Sequence, residues 1–267
     1  KVKEVQSKCS SGKFAIKISK VDKLKVKTGL NYAKENLEEV RIHSSIPLHP
    51  NILRFYQAWK EEGHVYMQLE LCEGSVDDYW INRNCLTQKD INRILNDMIR
   101  ALNHLNSLKI VHLDVKPANI LRSEGGKYKL ADFSVAVNLN NDSWSEEFGD
   151  GKFAAPEIFN CHVTTKADIF SLGISLSKIS VPVDSPLTSD EWRTMKDEGK
   201  LASRVFEGPL KLYEKVQSMI LDHSSRPSAQ EFMDHSNEDR DCELPSLLHS
   251  ISTIFHSSER TSLPLEC

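Results

Sequence analysis

The chain has 267 residues, of which 39% are hydrophobic and 27% charged, and its formal net charge is -4. This length suits one large domain or two lobes that share a cleft, and the composition excludes a largely disordered chain. The mild acidity argues against nucleic-acid binding, and no apolar run approaches the roughly 20 residues that a membrane-spanning helix needs. The polar start, KVKEVQSKCSSGK, is not typical of a signal peptide.

The first third of the chain predicts strands and one helix. KFAIKISK (13–20) alternates apolar and polar residues, which is typical of a half-buried strand, and a lysine-rich stretch predicts a solvated loop after it. Segment 51–72 predicts two strands around a polar turn at residues 60–63. The intervening segment 32–46 predicts an amphipathic helix, because its apolar residues share one stripe: Ala33, Leu37, Val40 and Ile46.

Beyond this part the periodicity becomes helical. Segment 87–109 predicts a long amphipathic helix with Thr87 as its N-cap. Short strands are predicted around Ile120 and at 128–131, and a loop at 138–152. Two helical regions are expected further on: a buried helix at 166–180, and two helices within 214–236 that break near Arg226 and Pro227.

The domain boundaries follow from the change in periodicity. We expect an N-lobe over residues 1–71, a C-lobe over 75–236 and a C-terminal extension over 237–267. The six cysteines are scattered without a CxxC pair, so we expect free thiols in a reducing compartment and no structural metal site. They are Cys9, Cys72, Cys85, Cys161, Cys242 and Cys267.

The stretch IVHLDVKPANIL (110–121) has the residue types that phosphoryl transfer needs. Asp114 can receive the proton of a substrate hydroxyl, and Lys116 can offset charge on the phosphate. Asn119 and Asp132, the latter in ADFS, supply oxygen ligands suited to magnesium. Each residue alone is compatible with an ordinary turn. The spacing HxDxKPxN followed by ADF favours catalysis.

Supporting residues appear in the required order. Lys17 in FAIK can grip phosphates, and Glu39 on the next helix can hold Lys17 in place. The alternative for this pair is a strand-edge lysine and a solvated helix carboxylate. Asp168 can hold the backbone of the catalytic loop from the start of a buried helix, and Glu157 can pair with Arg226.

These motifs resemble the eukaryotic protein kinase family from Lys1 to about Ser236. The resemblance implies an α+β, bilobal fold, with a β-rich N-lobe and a mainly helical C-lobe. It also implies ATP in the cleft and Mg²⁺ as cofactor, with Leu69 as gatekeeper and the hinge at residues 70–72. The implied ATP-binding set is Val2, Ala15, Lys17, Glu39, Leu69, Glu70 and Cys72.

Three departures from the family pattern stand out. The glycine-rich loop is absent, and spacing back from Lys17 puts its end near Val2, so we expect the given chain to begin inside or just after that loop. Ser134 replaces the glycine of DFG, which restricts the backbone there. Leu113 replaces the arginine of HRD, so switching on by activation-loop phosphorylation should be absent or weak.

A narrower resemblance is to the Wee/Myt kinases, with the membrane-associated Myt branch slightly favoured. It is carried by HLD with KPAN and by four further stretches: GDGKFAAPE, HPNILRFYQAW, ELCEGS and KADIFSLGISL. It implies phosphorylation of Tyr or Thr of a cyclin-dependent kinase in complex with its cyclin, which inhibits that kinase and delays mitotic entry. KPAN is the serine/threonine pattern, so tyrosine specificity follows from the resemblance alone.

Two other functions stay open from the sequence. Ser134, Leu113 and the missing glycine loop are compatible with a pseudokinase scaffold, although every residue with a direct chemical role is present. RFYQAW and the hinge also resemble serine/threonine kinases of a translation initiation factor. We expect no nucleic-acid partner and no membrane span within this chain. We expect a nuclear or cytoplasmic location, or the ER or Golgi membrane if a Myt-like anchor lies outside it.

Overall fold

The computed structural model describes residues 1–6, 12–20, 32–83, 86–140, 149–205 and 210–234. Its contacts group the chain into two units, Lys1–Ala229 and Gln230–Cys267. Within the second unit only residues 230–234 are described, and they are helical. The lobes and the candidate site belong to the first unit. The predicted lysine-rich loop and C-terminal extension lie outside the described residues, and the predicted domain division stays a prediction.

In the N-lobe, the described residues form a four-stranded antiparallel sheet and one helix, α1 (Tyr32–Ser45). The strands follow the order β1-β2-β4-β3, and they are β1 (Val2–Gln6), β2 (Lys13–Lys20), β3 (Phe55–Glu61) and β4 (His64–Glu70). Alternate side chains of β4 are buried, as the period of a strand requires. The predicted strands at 13–20 and within 51–72, and the turn between the latter two, are confirmed.

The predicted apolar stripe of α1 is partly wrong. Leu37 is 56% exposed, whereas Glu39, Ile42 and His43 are buried. The helix turns this face inward because Glu39 pairs with Lys17 of the sheet, so an ion pair and not only apolar burial sets its rotation. The hydrophobic pattern could not show this, since it assigns every charged residue to the solvent side.

The C-lobe is mainly helical. Its helices are α2 (Val76–Arg83), α3 (Gln88–Ser107), α4 (Lys166–Ile179), α5 (Ser189–Asp197) and α6 (Leu210–Met219). Thr87 caps α3 as predicted, because its side chain accepts a hydrogen bond from the backbone N–H of Asp90. Helix α4 is buried on almost all sides, also as predicted. The predicted break within 214–236 is wider than expected, since α6 ends at Met219 and the next helix begins at residue 229.

Short strands carry the loops of the candidate site. They are β5 (Gly74–Ser75), β6 (Ile110–Val111), β7 (Ile120–Arg122), β8 (Tyr128–Leu130) and β9 (Val137–Asn138). Strands β7 and β8 form a hairpin in which Ile120 faces Leu130. This register puts Asn119, just before β7, beside the residues that follow β8, and Ala131 N–H donates to Asn119 O at 2.9 Å.

Three further sequence predictions concern the described residues. Cys72 and Cys161 are free thiols, while the other four cysteines lie outside the described residues. Within those residues, no helix combines the length and apolar character that crossing a membrane requires. Of the predicted loop at 138–152, residues 141–148 are likewise outside the description, and 149–153 form turns.

Candidate active site

Lys17, Glu39 and Asp132 form one ion network between the sheet, α1 and the segment after β8. Lys17 Nζ lies 2.6 Å from Glu39 Oε1 and 2.8 Å from Asp132 Oδ1. Lys17 and Glu39 are thus an ion pair, and the alternative of a strand-edge lysine and a solvated carboxylate is wrong. Since the ammonium bridges two carboxylates from different elements, it is held in a fixed position between them.

The charges of this network stabilise one another. Burial disfavours the charged form of Lys17, but the carboxylates of Asp132 and Glu39 outweigh it and raise the pKa of Lys17. Burial likewise opposes the ionisation of Asp132, but Lys17 and a hydrogen bond from Ser134 hold the pKa of Asp132 at about 2. Burial raises the pKa of Glu39, and Lys17 opposes that rise. Asp132 is therefore a carboxylate at neutral pH, as a metal ligand must be.

Asp114 is held from several sides. Asn119 Nδ2 donates to Asp114 Oδ2 at 2.7 Å and to its backbone oxygen at 2.9 Å. Lys116 Nζ lies 2.9 Å from the same Oδ2. The backbone N–H of Asp150 donates to Oδ1 at 2.9 Å. Asp114 is only 8% exposed, so these contacts hold a carboxylate that is largely shielded from solvent.

Asp168 at the start of α4 shapes the loop that carries Asp114. Its carboxylate is fully buried and accepts the backbone N–H of His112 at 2.7 Å and of Leu113 at 2.9 Å. This is the role that its position in the sequence predicted. Leu113 has φ 62, in the left-handed region that a leucine rarely adopts. The two hydrogen bonds that Asp168 accepts hold the backbone in that conformation.

Four aromatic rings in contact connect the lobes behind the ion network. His43 lies between Phe55, at a centroid distance of 5.5 Å, and Phe133, at 4.6 Å. Phe133 also contacts His112 at 5.0 Å. His43 Nε2 donates to the backbone oxygen of Leu53 at 2.8 Å. His43 was not predicted as a site residue, because a histidine on a helix gives no signal of its own in the sequence.

Of the residues predicted to bind adenine, some lie in a buried apolar cluster and Val2 lies on the surface. Ala15 and Leu69 face each other across β2 and β4 in one buried apolar cluster, against which Cys72 packs. Burial, aided by the nearby Glu70 carboxylate, raises the pKa of the Cys72 thiol to about 12, so it behaves as a small apolar group. Val2 lies opposite Lys17 in the β1–β2 register, but its side chain is 62% exposed.

Glu70 uses its side chain away from this cluster. Its Oε2 pairs with Lys129 at 2.9 Å and accepts the backbone N–H of Arg54 at 3.2 Å. A contact of Glu70 with a nucleotide would therefore use the backbone.

The donor set fits Mg²⁺ with a nucleotide. Among the described residues no cluster of three or more His, Cys, Asp or Glu side chains could hold a metal ion by itself. Asp132 and Asn119 instead offer one carboxylate and one amide oxygen, because the amide nitrogen of Asn119 is committed to Asp114. Magnesium typically binds one or two such groups and completes its shell with water and substrate phosphates.

The fold has a β-rich lobe and a helical lobe. Together with a lysine that bridges two carboxylates and an aspartate in the loop after β6, it defines a protein kinase domain. The chain belongs to this family: the family model for the protein kinase domain matches residues 1–237. The α+β bilobal fold that the resemblance implied is confirmed.

Three relatives indicate which group of protein kinases the chain is similar to. The chain is 35% identical over 201 residues to the membrane-associated tyrosine- and threonine-specific cdc2-inhibitory kinase wee-1.3 of Caenorhabditis elegans, a match that covers 74% of this chain and 30% of the relative. It is 32% identical over 235 residues to the membrane-associated tyrosine- and threonine-specific cdc2-inhibitory kinase of Drosophila melanogaster. This match covers 87% of this chain and 43% of the relative. It is 33% identical over 190 residues to the mitosis inhibitor protein kinase wee1 of Schizosaccharomyces pombe. This match covers 69% of this chain and 21% of the relative.

The resemblance to the Wee/Myt kinases is thus confirmed, and its two branches are not distinguished. The chain spans less than half the length of each of these three relatives.

Proposed function

We propose that the chain is an active protein kinase that transfers the γ-phosphate of ATP to Tyr and/or Thr of a cyclin-dependent kinase, inhibiting it and delaying mitotic entry. The main observation in support of this reaction is that Lys17 forms two ion pairs, at 2.6 Å from Glu39 and 2.8 Å from Asp132. A pseudokinase has no need to keep this network beside a positioned Asp114. The names of the relatives support the choice of substrate.

Each residue has one role in this proposal. The substrate hydroxyl gives its proton to Asp114 while its oxygen bonds to the γ-phosphorus, and the bond from that phosphorus to the β–γ bridging oxygen breaks to release ADP. Lys116 offsets charge on the moving phosphoryl group, and Lys17 positions the α- and β-phosphates. Mg²⁺ held by Asn119 and Asp132 would neutralise charge on the phosphate oxygens.

The adenine end would be enclosed by apolar contacts and the hinge backbone. Ala15 and Leu69 are buried together, with Cys72 packed beside them and Val2 on the neighbouring strand. Burial of the adenine ring against such side chains supplies affinity, while the backbone at Glu70 and Cys72 would supply hydrogen bonds.

The partner and location are part of the same proposal. A cyclin-dependent kinase is the substrate, in complex with its cyclin. "Membrane-associated" describes the worm and fly relatives, so an ER or Golgi membrane is one location for this protein if an anchor lies outside the chain, and the nucleus or cytoplasm is the other.

Phosphotransfer tests the proposal. The protein is incubated with Mg-ATP and a cyclin-dependent kinase–cyclin complex, and modified residues are mapped by mass spectrometry. We expect phosphate on Tyr or Thr of the substrate's nucleotide-binding loop. Asp114→Asn should lower turnover by about 10²–10⁴-fold, the usual contribution of a positioned base, and Lys17→Met should abolish most of it.

A matched control separates chemistry from folding. Lys13 lies on the same strand as Lys17, but it is exposed and pairs only with exposed Glu4 among the described residues. Lys13→Met should therefore retain activity. Full activity of Lys17→Met or Asp114→Asn would contradict the assigned roles. ATP binding without transfer to this substrate or to a generic peptide would favour the pseudokinase, and transfer only to another protein would contradict the substrate.

A further inference from the structure

The Asp114 carboxylate has a nearly complete set of hydrogen bonds. A carboxylate offers about four lone pairs, two on each oxygen. Oδ2 accepts from Asn119 and Lys116, which uses both of its lone pairs. Oδ1 accepts from the backbone N–H of Asp150, and the described residues supply it with no second donor. The remaining lone pair of Oδ1 is thus the one position at which a substrate hydroxyl can donate.

Gly149 packs directly against this carboxylate. A Cβ added to Gly149 would lie 2.1 Å from Asp114 Oδ1 and 2.5 Å from Asp114 Cβ. These distances are far inside the roughly 3.5–4.0 Å of an ordinary contact. Asp114 cannot yield freely, because Asn119 and Lys116 hold its Oδ2. A side chain at position 149 must therefore push the turn away or tilt the carboxylate.

The turn at residues 149–153 is anchored from its other side by α5. Lys196 Nζ donates to Gly151 O at 2.5 Å. The ring of Phe153 packs edge-on against Trp192, also on α5, at a centroid distance of 5.7 Å. Gly149 N–H donates to Leu113 O at 3.3 Å, so the turn is joined to the catalytic loop as well.

We propose that the 149–153 turn is a positioning clamp for Asp114. In this clamp the backbone N–H of Asp150 fixes Oδ1, Gly149 is required because it has no side chain, and Lys196 is the positioning residue that holds the turn in place. The proposal rests on the proposed function, since it assumes that Asp114 receives the substrate proton. It adds residues that touch neither nucleotide nor substrate to the set that determines turnover.

Steady-state kinetics of two glycine variants test the clamp. Gly149→Ala should lower kcat by about 10²-fold, the cost of misplacing a reacting group by about 1 Å, while KM for ATP changes little because Lys17 is untouched. Gly125→Ala is the control, since its Cβ would meet nothing within 4 Å and the residue lies outside the clamp. Its kcat should stay within about threefold of wild type.

Variants of Lys196 test the anchor. Lys196→Met removes the donor to Gly151 O without adding a clash, so kcat should fall in the same direction as in Gly149→Ala but by less. Lys196→Arg keeps a donor and should recover most of the loss. Rescue by arginine, with unchanged KM for ATP and an unchanged thermal midpoint, is a pattern that a merely structural lysine would not give.

Residue-resolved amide exchange tests the contact without activity. The Asp150 N–H should be protected in the wild-type protein and exchange faster in Asp114→Ala. An unprotected Asp150 amide, a Gly149→Ala kcat within about threefold of wild type, or an equal loss in Gly125→Ala would each overturn the clamp. A protected amide in a protein that transfers no phosphate would support the contact and contradict the proposed function instead.

Discussion

Replacing Asp168 by asparagine removes the support beneath the catalytic loop. Asp168 is fully buried at the start of α4, and its two oxygens accept the N–H groups of His112 and Leu113 at 2.7 and 2.9 Å. Burial raises the pKa of Asp168, and the two backbone donors counteract this rise. In Asp168→Asn, an amide nitrogen must face one of the two N–H groups, donor against donor.

The structure gives the size of the effect. The left-handed φ of 62 at Leu113 costs about 1–2 kcal/mol. Two hydrogen bonds to a carboxylate contribute about 1.5–3 kcal/mol each, so they outweigh this strain. Losing one of them and burying an unpaired donor should lower the free energy of unfolding by about 3 kcal/mol, a large part of the 5–15 kcal/mol typical of a domain.

Urea denaturation measures this loss. At roughly 2–4 °C per kcal/mol for a domain of this size, we also expect the thermal midpoint to fall by about 6–12 °C. Turnover should fall as well, because Asp114 follows directly on the loosened backbone. Asp190→Asn on the exposed start of α5 is the control and should change little. A loss below about 1 kcal/mol for Asp168→Asn would refute the reasoning, since the charge would then not be holding Leu113.

Three further predictions concern other buried or capping groups. Glu157→Ala leaves Arg226 buried without the carboxylate that pairs with it (Nη2–Oε2 3.2 Å), and should cost about 3–5 kcal/mol in urea unfolding, with a smaller loss contradicting the pair. Burial lowers the pKa of His43 to about 4, so the unfolded chain takes up a proton that the folded one refuses. Stability is therefore complete above about pH 6.5 and is lost as pH falls toward 4, by about 2 kcal/mol between pH 7 and pH 5; His43→Leu should be less stable at pH 7 but lose this slope in urea titrations at both pH values. Thr87→Ala removes the hydrogen bond to Asp90 N–H at the start of α3 and should lower the thermal midpoint through a loss of about 1 kcal/mol, whereas an unchanged midpoint would show that the cap is dispensable.

The sequence predicted the elements well where periodicity was strong. The strand at 13–20, the capped helix α3 and the buried helix α4 are all present. Periodicity alone failed on α1, because the inward face of this helix carries Glu39, and the predicted apolar Leu37 is exposed. A periodicity argument counts Glu39 as a solvent residue, because its partner Lys17 lies on another element.

The candidate site was likewise predicted from the sequence in part. The spacing of Lys17, Asp114, Asn119 and Asp132 predicted a phosphoryl-transfer site, and the structure brings Lys17 to Asp132 and Asn119 to Asp114. Nothing in the spacing indicated that Gly149 must lack a side chain. That requirement arises from the distance to one carboxylate oxygen, between residues 35 positions apart in the chain.

The sequence by itself determined the family, the order of the elements and the chemical types at the site, because these depend on local periodicity and on which side chains are present. Only the tertiary structure decided the geometry of these groups. It placed Lys17 between Glu39 and Asp132, bound Asp168 to the backbone of a left-handed Leu113 and closed the 149–153 turn over Asp114. Such contacts depend on angles and distances between elements far apart in the chain, to within a fraction of an ångström, and no local pattern encodes them.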